Sequence, residues 1–268
     1  AKGQRRHQIW FLIGTLSIAE FARGFFLTGF PWAGFAQIWV DTDVAQLLAL
    51  VGPYGLGAAT LAIALPPGHT LARGQGGKML MIRSIPAAVF AVTVLVWPNL
   101  RTPPEAGETL VRMVQPNAPQ HLKWHPDHAS EFFQRQLDYT AADDVPDLVV
   151  WPETSVPVWL DQARDAMERV AEAGRGAPVV VGIQRSSGRG RIYNSMAVIG
   201  AGGTVTDLYD KWHLVPFGEY VPFGDLMADY GIAGFASTTG QGFSPGRGPK
   251  IVELGGVARA LPLICYEA

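Results

Sequence analysis

A chain of 268 residues with 48% hydrophobic and only 16% charged side chains falls well short of the roughly 25% charge of ordinary soluble domains, which points to a chain partly in lipid. A net charge of −2 excludes a strongly basic nucleic-acid binder, and one cysteine, Cys265, excludes an intramolecular disulfide and cysteine-based zinc spacing. The length suits one sizeable core with a smaller region, or two modest domains.

Residues 1 to about 100 are apolar runs with few charges. Ile9 to Phe30 carries Glu20 and Arg23, Val44 to Leu65 has Pro53 near its start, and Met79 to Trp97 contains Arg83 and Pro86. About 20 apolar residues cross a hydrocarbon core as helix, so each run is long enough to span. Several runs in succession are not a signal peptide. Glu20 and Arg23 stand about one helical turn apart, which predicts a pair that positions the loop at Gly29-Phe30-Pro31-Trp32. Lys2, Arg5 and Arg6 precede the first run, and Arg73 and Lys78 lie between the second and third, whereas Pro31 to Asp43 has no Lys or Arg. The positive-inside rule places the amino end and the Arg73–Lys78 loop in the cytoplasm, and everything after Trp97 across the membrane.

Arg101 to Gly107, with Pro103 and Pro104, reads as a linker. Leu110 to Val114 predicts a strand, and Asp127 to Ala142 a helix with Phe132, Phe133 and Leu137 on its apolar side. Asp147 to Trp151, bounded by Pro146 and Pro152, predicts a buried strand, Val158 to Ala173 a second helix, and Val179 to Ile183 another buried strand. Met196 to Ile199 and Thr204 to Tyr209 flank Gly200, Gly202 and Gly203, a hairpin signal, and Val257 to Cys265 is expected as a last strand. Strands alternating with helices argue for an α/β domain.

Three strand ends carry chemistry. Glu153 follows Trp151-Pro152, at the rim of a sheet, where ligands bind in open α/β folds. Taken alone it reads as an acid at a helix start, since Thr154 and Ser155 follow it. Lys211 ends Tyr209-Asp210-Lys211, and alone it reads as a snorkelling surface cation. Cys265 closes Leu261-Pro262-Leu263-Ile264, where it is either packed filler or a nucleophile on a sharp turn near backbone N–H donors. Together they supply a carboxylate base, a cation that lowers a thiol pKa and a thiol, the set a cysteine acyl-transfer site needs.

The order Glu-Lys-Cys within Trp151-Pro152-Glu153, Asp210-Lys211-Trp212-His213 and Cys265-Tyr266-Glu267 resembles the nitrilase, or carbon-nitrogen hydrolase, superfamily. Arg23-Gly24, Thr28-Gly29-Phe30-Pro31-Trp32, Gln115-Pro116-Asn117, Leu122-Lys123-Trp124 and His213-Leu214-Val215-Pro216-Phe217-Gly218-Glu219 narrow the resemblance to the apolipoprotein N-acyltransferase family. The resemblance implies α-helical membrane segments followed by an α/β domain, a nitrilase-like four-layer α-β-β-α sandwich. Residues 1–100 would be a partial transmembrane bundle of about three spans, and 101–268 a catalytic domain truncated at its carboxyl end. It further implies Glu153 as general base, Lys211 as cation near the oxyanion and Cys265 as nucleophile. Glu219, Trp124, Tyr266 and Glu267 would support the site or bind substrate. No metal or diffusible cofactor is implied. The partners implied are a phospholipid acyl donor, a diacylated apolipoprotein acceptor and the bilayer. The implied protein is a monomer, multi-pass in the bacterial inner membrane, with its catalytic domain on the periplasmic side.

Two acyl-bearing substrates argue for tethering, because extracting them would cost about 0.8 kcal/mol per CH₂ exposed to water. The Gly- and aromatic-rich stretch Phe217 to Phe243 reads as a mobile lid or as an ordinary loop. The competing readings are a membrane-anchored nitrilase-type amidase with the same site residues, and a catalytically dead scaffold or lipid-binding protein.

Overall fold

The computed structural model describes residues 8–26, 29–74, 76–100, 107–188, 190–220 and 242–267. The chain forms two compact units, Ala1–Glu105 and Ala106–Ala268. Most of the expected linker, residues 101–106, lies outside the described residues, as does most of the expected lid, residues 221–241.

The first unit is helical: α1 (Gln8–Phe25), α2 (Leu48–Ala72), α3 (Gly77–Arg83) and α4 (Ile85–Leu100), with short 3₁₀ turns over Phe35–Trp39 and Asp43–Leu47. Near the start of α2 the backbone leaves helical geometry at Gly52, with φ 65°, immediately before Pro53. Proline disfavours a helical predecessor, and glycine takes up positive φ without a Cβ clash. Ile9 and Ile13 pack on Leu61, while Leu47 and Leu56 pack with Phe90, Val94 and Trp97. Phe11, Ile18, Met81 and Leu95 point outward and are exposed.

Each of the three apolar runs is helical over most of its described residues, but they differ as candidate spans. Among the described residues one helix, Asp43–Ala72, is long and apolar enough to cross a membrane. The pair Gly77–Arg83 and Ile85–Trp97, bent by 42°, is a second if counted as one span. α1 does not qualify, since Glu20 and Arg23 interrupt its apolar run. Those two charges form the expected pair, Arg23 to Glu20 at 3.8 Å. Glu20 Oε1 accepts from the Phe35 N–H (2.9 Å), and Arg23 donates to the carbonyls of Phe30 (2.7 Å) and Trp32 (2.6 Å). The pair therefore holds the loop the sequence assigned to it.

The second unit is built on a sheet in the order β1-β2-β3-β4-β5. Its strands are β1 (Val111–Met113), β2 (Leu148–Val150), β3 (Val179–Ser186), β4 (Ile192–Ile199) and β5 (Val205–Asp210). β1, β2 and β3 are parallel, with α5 (Pro126–Ala141) and α6 (Arg164–Gly174) as crossovers; β4 and β5 follow as antiparallel partners. Consequently β2, β3 and β5 run the same way, and the ends of β2 and β5 share one rim with the start of β4.

Alternation along the strands separates two faces. Val149, Val179, Val181, Ile183, Ala197 and Ile199 pack under the helices with Phe133, Leu137, Met167 and Val170. Leu148, Val180, Val198 and Tyr209 face the other way, against Val252, Leu254 and Ile264. Val252 belongs to a small hairpin, β6 (Val252–Glu253) and β7 (Arg259–Ala260). The helix expected over Val158 to Ala173 splits into a 3₁₀ turn, Leu160–Gln162, and α6. The strand expected over Val257 to Cys265 is corrected to the two residues of β7, because Pro262 has no N–H to continue a ladder. Cys265 instead opens a 3₁₀ turn, Cys265–Glu267.

Candidate active site

Glu153 is placed by the end of β2. Trp151 is buried, packs edge-on against Phe133 of α5 and donates its indole N–H to Thr140 (2.8 Å), which locks the strand end to the helix. The chain then turns over Gly182 of β3, where Ser155 and Val156 donate to the Gly182 carbonyl (2.8 and 3.3 Å). A Cβ on Gly182 would stand 2.5 Å from the Pro152 oxygen and the Thr154 nitrogen and 2.6 Å from the Glu153 Cα. These are backbone atoms with no rotamer to give. Gly182→Ala is therefore expected to cost about 1–3 kcal/mol, typical of overpacking, and to displace Glu153. Denaturant titration alongside turnover checks both effects.

Lys211 follows β5 and is almost fully buried, at 1% exposure. Its ammonium lies 2.9 Å from Glu219 Oε2, donates to Glu219 Oε1 at 3.0 Å, and stands 3.8 Å from Glu153 Oε1. The snorkelling alternative is thus set aside by the burial. Glu219 also accepts from the Val215 N–H (2.8 Å), closing the turn that follows Lys211. The strand end itself is fixed by Asp210, which receives two hydrogen bonds from Arg185 (2.7 and 2.5 Å) and one from Ser195 (2.7 Å). The Asp210 hydrogen bond holds the Arg185 guanidinium above its ordinary pKa, against its partial burial.

Asn194, on β4 between the two carboxylates, escaped the sequence reading. Its Nδ2 donates to Glu153 Oε1 (2.6 Å) and Glu219 Oε1 (3.0 Å), with the side chain buried. A signal was present, since Asn194-Ser195 is a polar pair inside an otherwise apolar strand, and buried polar groups need partners.

Cys265 is exposed and has φ 53°, so the sulfur sits on a tight, left-handed turn. The packed-filler alternative does not fit that exposure. Cys265 and Glu153 line one cavity of about 270 Å³ with Val150, Gly182, Met196 and Leu263. The turn is tied down by Glu267. Its Oε1 accepts from the Tyr209 hydroxyl (2.7 Å), the Trp212 N–H (2.9 Å) and the His213 N–H (3.2 Å), and its Oε2 from the Ile264 N–H (2.9 Å). Burial, with the hydrogen bond to Glu267, pushes the Tyr209 phenol above its ordinary pKa. Glu267 thus joins the cysteine turn to the strand end that carries Lys211.

Of the residues singled out in the sequence, Glu153 and Cys265 line the cavity, and Tyr266 and Trp124 do not. Tyr266 is buried and packs edge-on against His213 (5.1 Å between ring centroids). Trp124 is half exposed in the turn before α5, beside Lys123. Among the described residues, no group of three or more His, Cys, Asp or Glu could hold a metal ion.

Residues 109–268 of this chain match the carbon-nitrogen hydrolase family. The chain belongs to that family. Residues 2–65 also match the apolipoprotein N-acyltransferase N-terminal domain. The carbon-nitrogen hydrolase chain is 33% identical to an apolipoprotein N-acyltransferase of Bradyrhizobium diazoefficiens, over 96% of this chain and 51% of the relative. It is 35% identical to one from Sinorhizobium medicae, over 94% of this chain and 50% of the relative. It therefore spans about half the length of these relatives. Among solved structures, an amidase from Nesterenkonia sp. AN1 is similar at 16% identity and a TM-score of 0.40, over 62% of this chain and 59% of that one.

Proposed function

We propose that this carbon-nitrogen hydrolase chain is part of an apolipoprotein N-acyltransferase, with Cys265 as nucleophile, Glu153 as general base and Lys211 as the stabilising cation. The observation that carries the reading is that Glu153 stands 3.8 Å from the buried Lys211 ammonium and lines one cavity together with Cys265. The match of residues 2–65 to an apolipoprotein N-acyltransferase amino-terminal domain favours this reading over a membrane-anchored nitrilase-type amidase with the same site residues.

In the first half-reaction Glu153 takes the proton of the Cys265 thiol, and the thiolate attacks an ester carbonyl of a phospholipid. Charge gathers on the carbonyl oxygen, where a fixed cation in a site shielded from water stabilises it far more than water would. Collapse expels the glycerol oxygen of a lysophospholipid, which takes the proton from Glu153, and leaves a thioester on Cys265. In the second half-reaction the α-amine of a diacylglyceryl-cysteine attacks that thioester and yields its proton to Glu153. The Cys265 thiolate leaves and is reprotonated. Glu219 and Asn194 hold Lys211 and Glu153 in place, Glu267 holds the cysteine turn, and Trp124 and Tyr266 support the site or the lipid.

The same reading makes the protein a monomer, multi-pass in the bacterial inner membrane, with residues 101–268 on the periplasmic side. It also completes the sheet and its hairpin as a four-layer α-β-β-α sandwich. The outward Phe11, Ile18, Met81 and Leu95 suit a lipid-facing surface. The test is turnover by the full-length protein in phospholipid vesicles with a diacylated lipopeptide. N-acylated peptide and lysophospholipid should appear one for one. Hydrolysis of amides with no N-acyl product would establish the amidase instead.

A further inference from the structure

Lys123 is a half-buried cation that the mechanism above does not use. It sits in the turn closed by the Leu122 and Lys123 N–H groups on the Pro119 carbonyl (2.9 Å each). Its ammonium turns inward. It donates to the main-chain carbonyl of Glu153 (2.7 Å) and to the Thr154 hydroxyl (3.2 Å). Burial lowers its pKa, and the Glu153 charge works in the opposite direction. A lysine normally keeps its head group in water, so a cation withdrawn to a backbone carbonyl needs compensating bonds. The peptide it holds is itself unusual. Thr154 has φ 43°, a left-handed conformation that β-branched residues avoid, so something outside it must hold it there.

We infer that Lys123 is a positioning residue for Glu153, clipping the Glu153–Thr154 peptide to the turn that carries Trp124. The carboxylate is then gripped twice. Asn194 holds its oxygen from β4, and Lys123 holds its backbone from the turn before α5. Movement of the Trp124 turn would shift the base. This rests on Glu153 acting as the base of the proposed reaction.

The experiment measures turnover with a diacylated lipopeptide, and thioester formation on Cys265 without it, by the full-length protein in phosphatidylethanolamine vesicles. Displacing a reacting group by about 1 Å can cost about 100-fold, so Lys123→Met should slow kcat by about 10- to 100-fold and leave KM for the lipid unchanged. Lys123→Arg, which keeps a charged donor, should recover most of that loss. A parent-like kcat in Lys123→Met, an effect confined to KM, or no recovery by Lys123→Arg overturns the inference. If thermal unfolding shows Lys123→Met to be unfolded, Thr154→Val decides. It removes one of the two acceptors, and an unchanged kcat there overturns the inference equally. A parent protein that forms no thioester would instead sink the proposed function.

Discussion

Lys211→Met is expected to lower turnover by at least about 100- to 1000-fold, the range for losing a group that stabilises a developing oxyanion, and to destabilise the fold as well. The substitution keeps the length of the buried side chain and deletes its charge. Glu219, itself only 13% exposed, then loses its partner, and Glu153 loses the cation 3.8 Å away. Breaking a buried pair by removing one member costs about 3–5 kcal/mol, because the survivor is left charged and uncompensated. A second substitution separates the two losses. In Lys211→Met with Glu219→Gln the stranded carboxylate is gone, so stability should largely return while turnover stays low. Denaturant midpoints and turnover of the single and double variants check this. Near-parent turnover in Lys211→Met would exclude Lys211 from the chemistry.

Glu267→Ala is expected to be the next most damaging change. One carboxylate accepts from the Tyr209 hydroxyl and from the N–H groups of Trp212, His213 and Ile264. Hydrogen bonds to a charged group contribute about 1.5–3 kcal/mol each, though water will reach some of these donors once the side chain is gone. The functional loss should exceed the stability loss. Without Glu267 the left-handed turn at Cys265 is no longer fastened to the Lys211 strand end, and a misplacement of about 1 Å can cost about 100-fold in rate. Glu267→Gln keeps an acceptor oxygen and should fall between parent and alanine variant. Equal activity in all three proteins would show that the turn holds itself.

Local patterns in the sequence were legible where one segment decided its own state. The Pro146- and Pro152-bounded run of β2, the apolar spacing of Phe132, Phe133 and Leu137 on α5, and the glycine hairpin between β4 and β5 all appear where the pattern put them. The three residues proposed for chemistry also lie at segment ends, as read, but one of those ends is not a strand. Apolar content over Val257 to Cys265 suggested one, whereas Pro262 and the Gly255-Gly256 turn leave only the hairpin of β6 and β7. The apolar runs before Trp97 form helices, but among the described residues only one, or two with the bent pair, is long and apolar enough to span a membrane, against the three expected. Composition did not anticipate the break at Gly52 or the bend between α3 and α4.

What periodicity could not show was partnership between distant segments. The family resemblance assigns Glu219 to the site, but no periodicity in the sequence pairs it with Lys211; the folded turn brings its carboxylate to that ammonium. Asn194 becomes a bridge because β4 begins at the rim where β2 and β5 end. Gly182 is one residue in a buried strand until the Glu153 backbone is seen lying across it. Each depends on sheet order, which no local window contains.

In the proposed reaction the Cys265 sulfur carries the acyl group between two lipid substrates. Intact-mass and peptide mass spectrometry of the full-length protein after exposure to phosphatidylethanolamine, with no acceptor present, tests it most directly. An acyl adduct is expected on Cys265 that is absent in Cys265→Ala, slow to form in Glu153→Gln, and discharged on adding a diacylated lipopeptide. An unmodified Cys265 in a protein that still transfers acyl chains would contradict it.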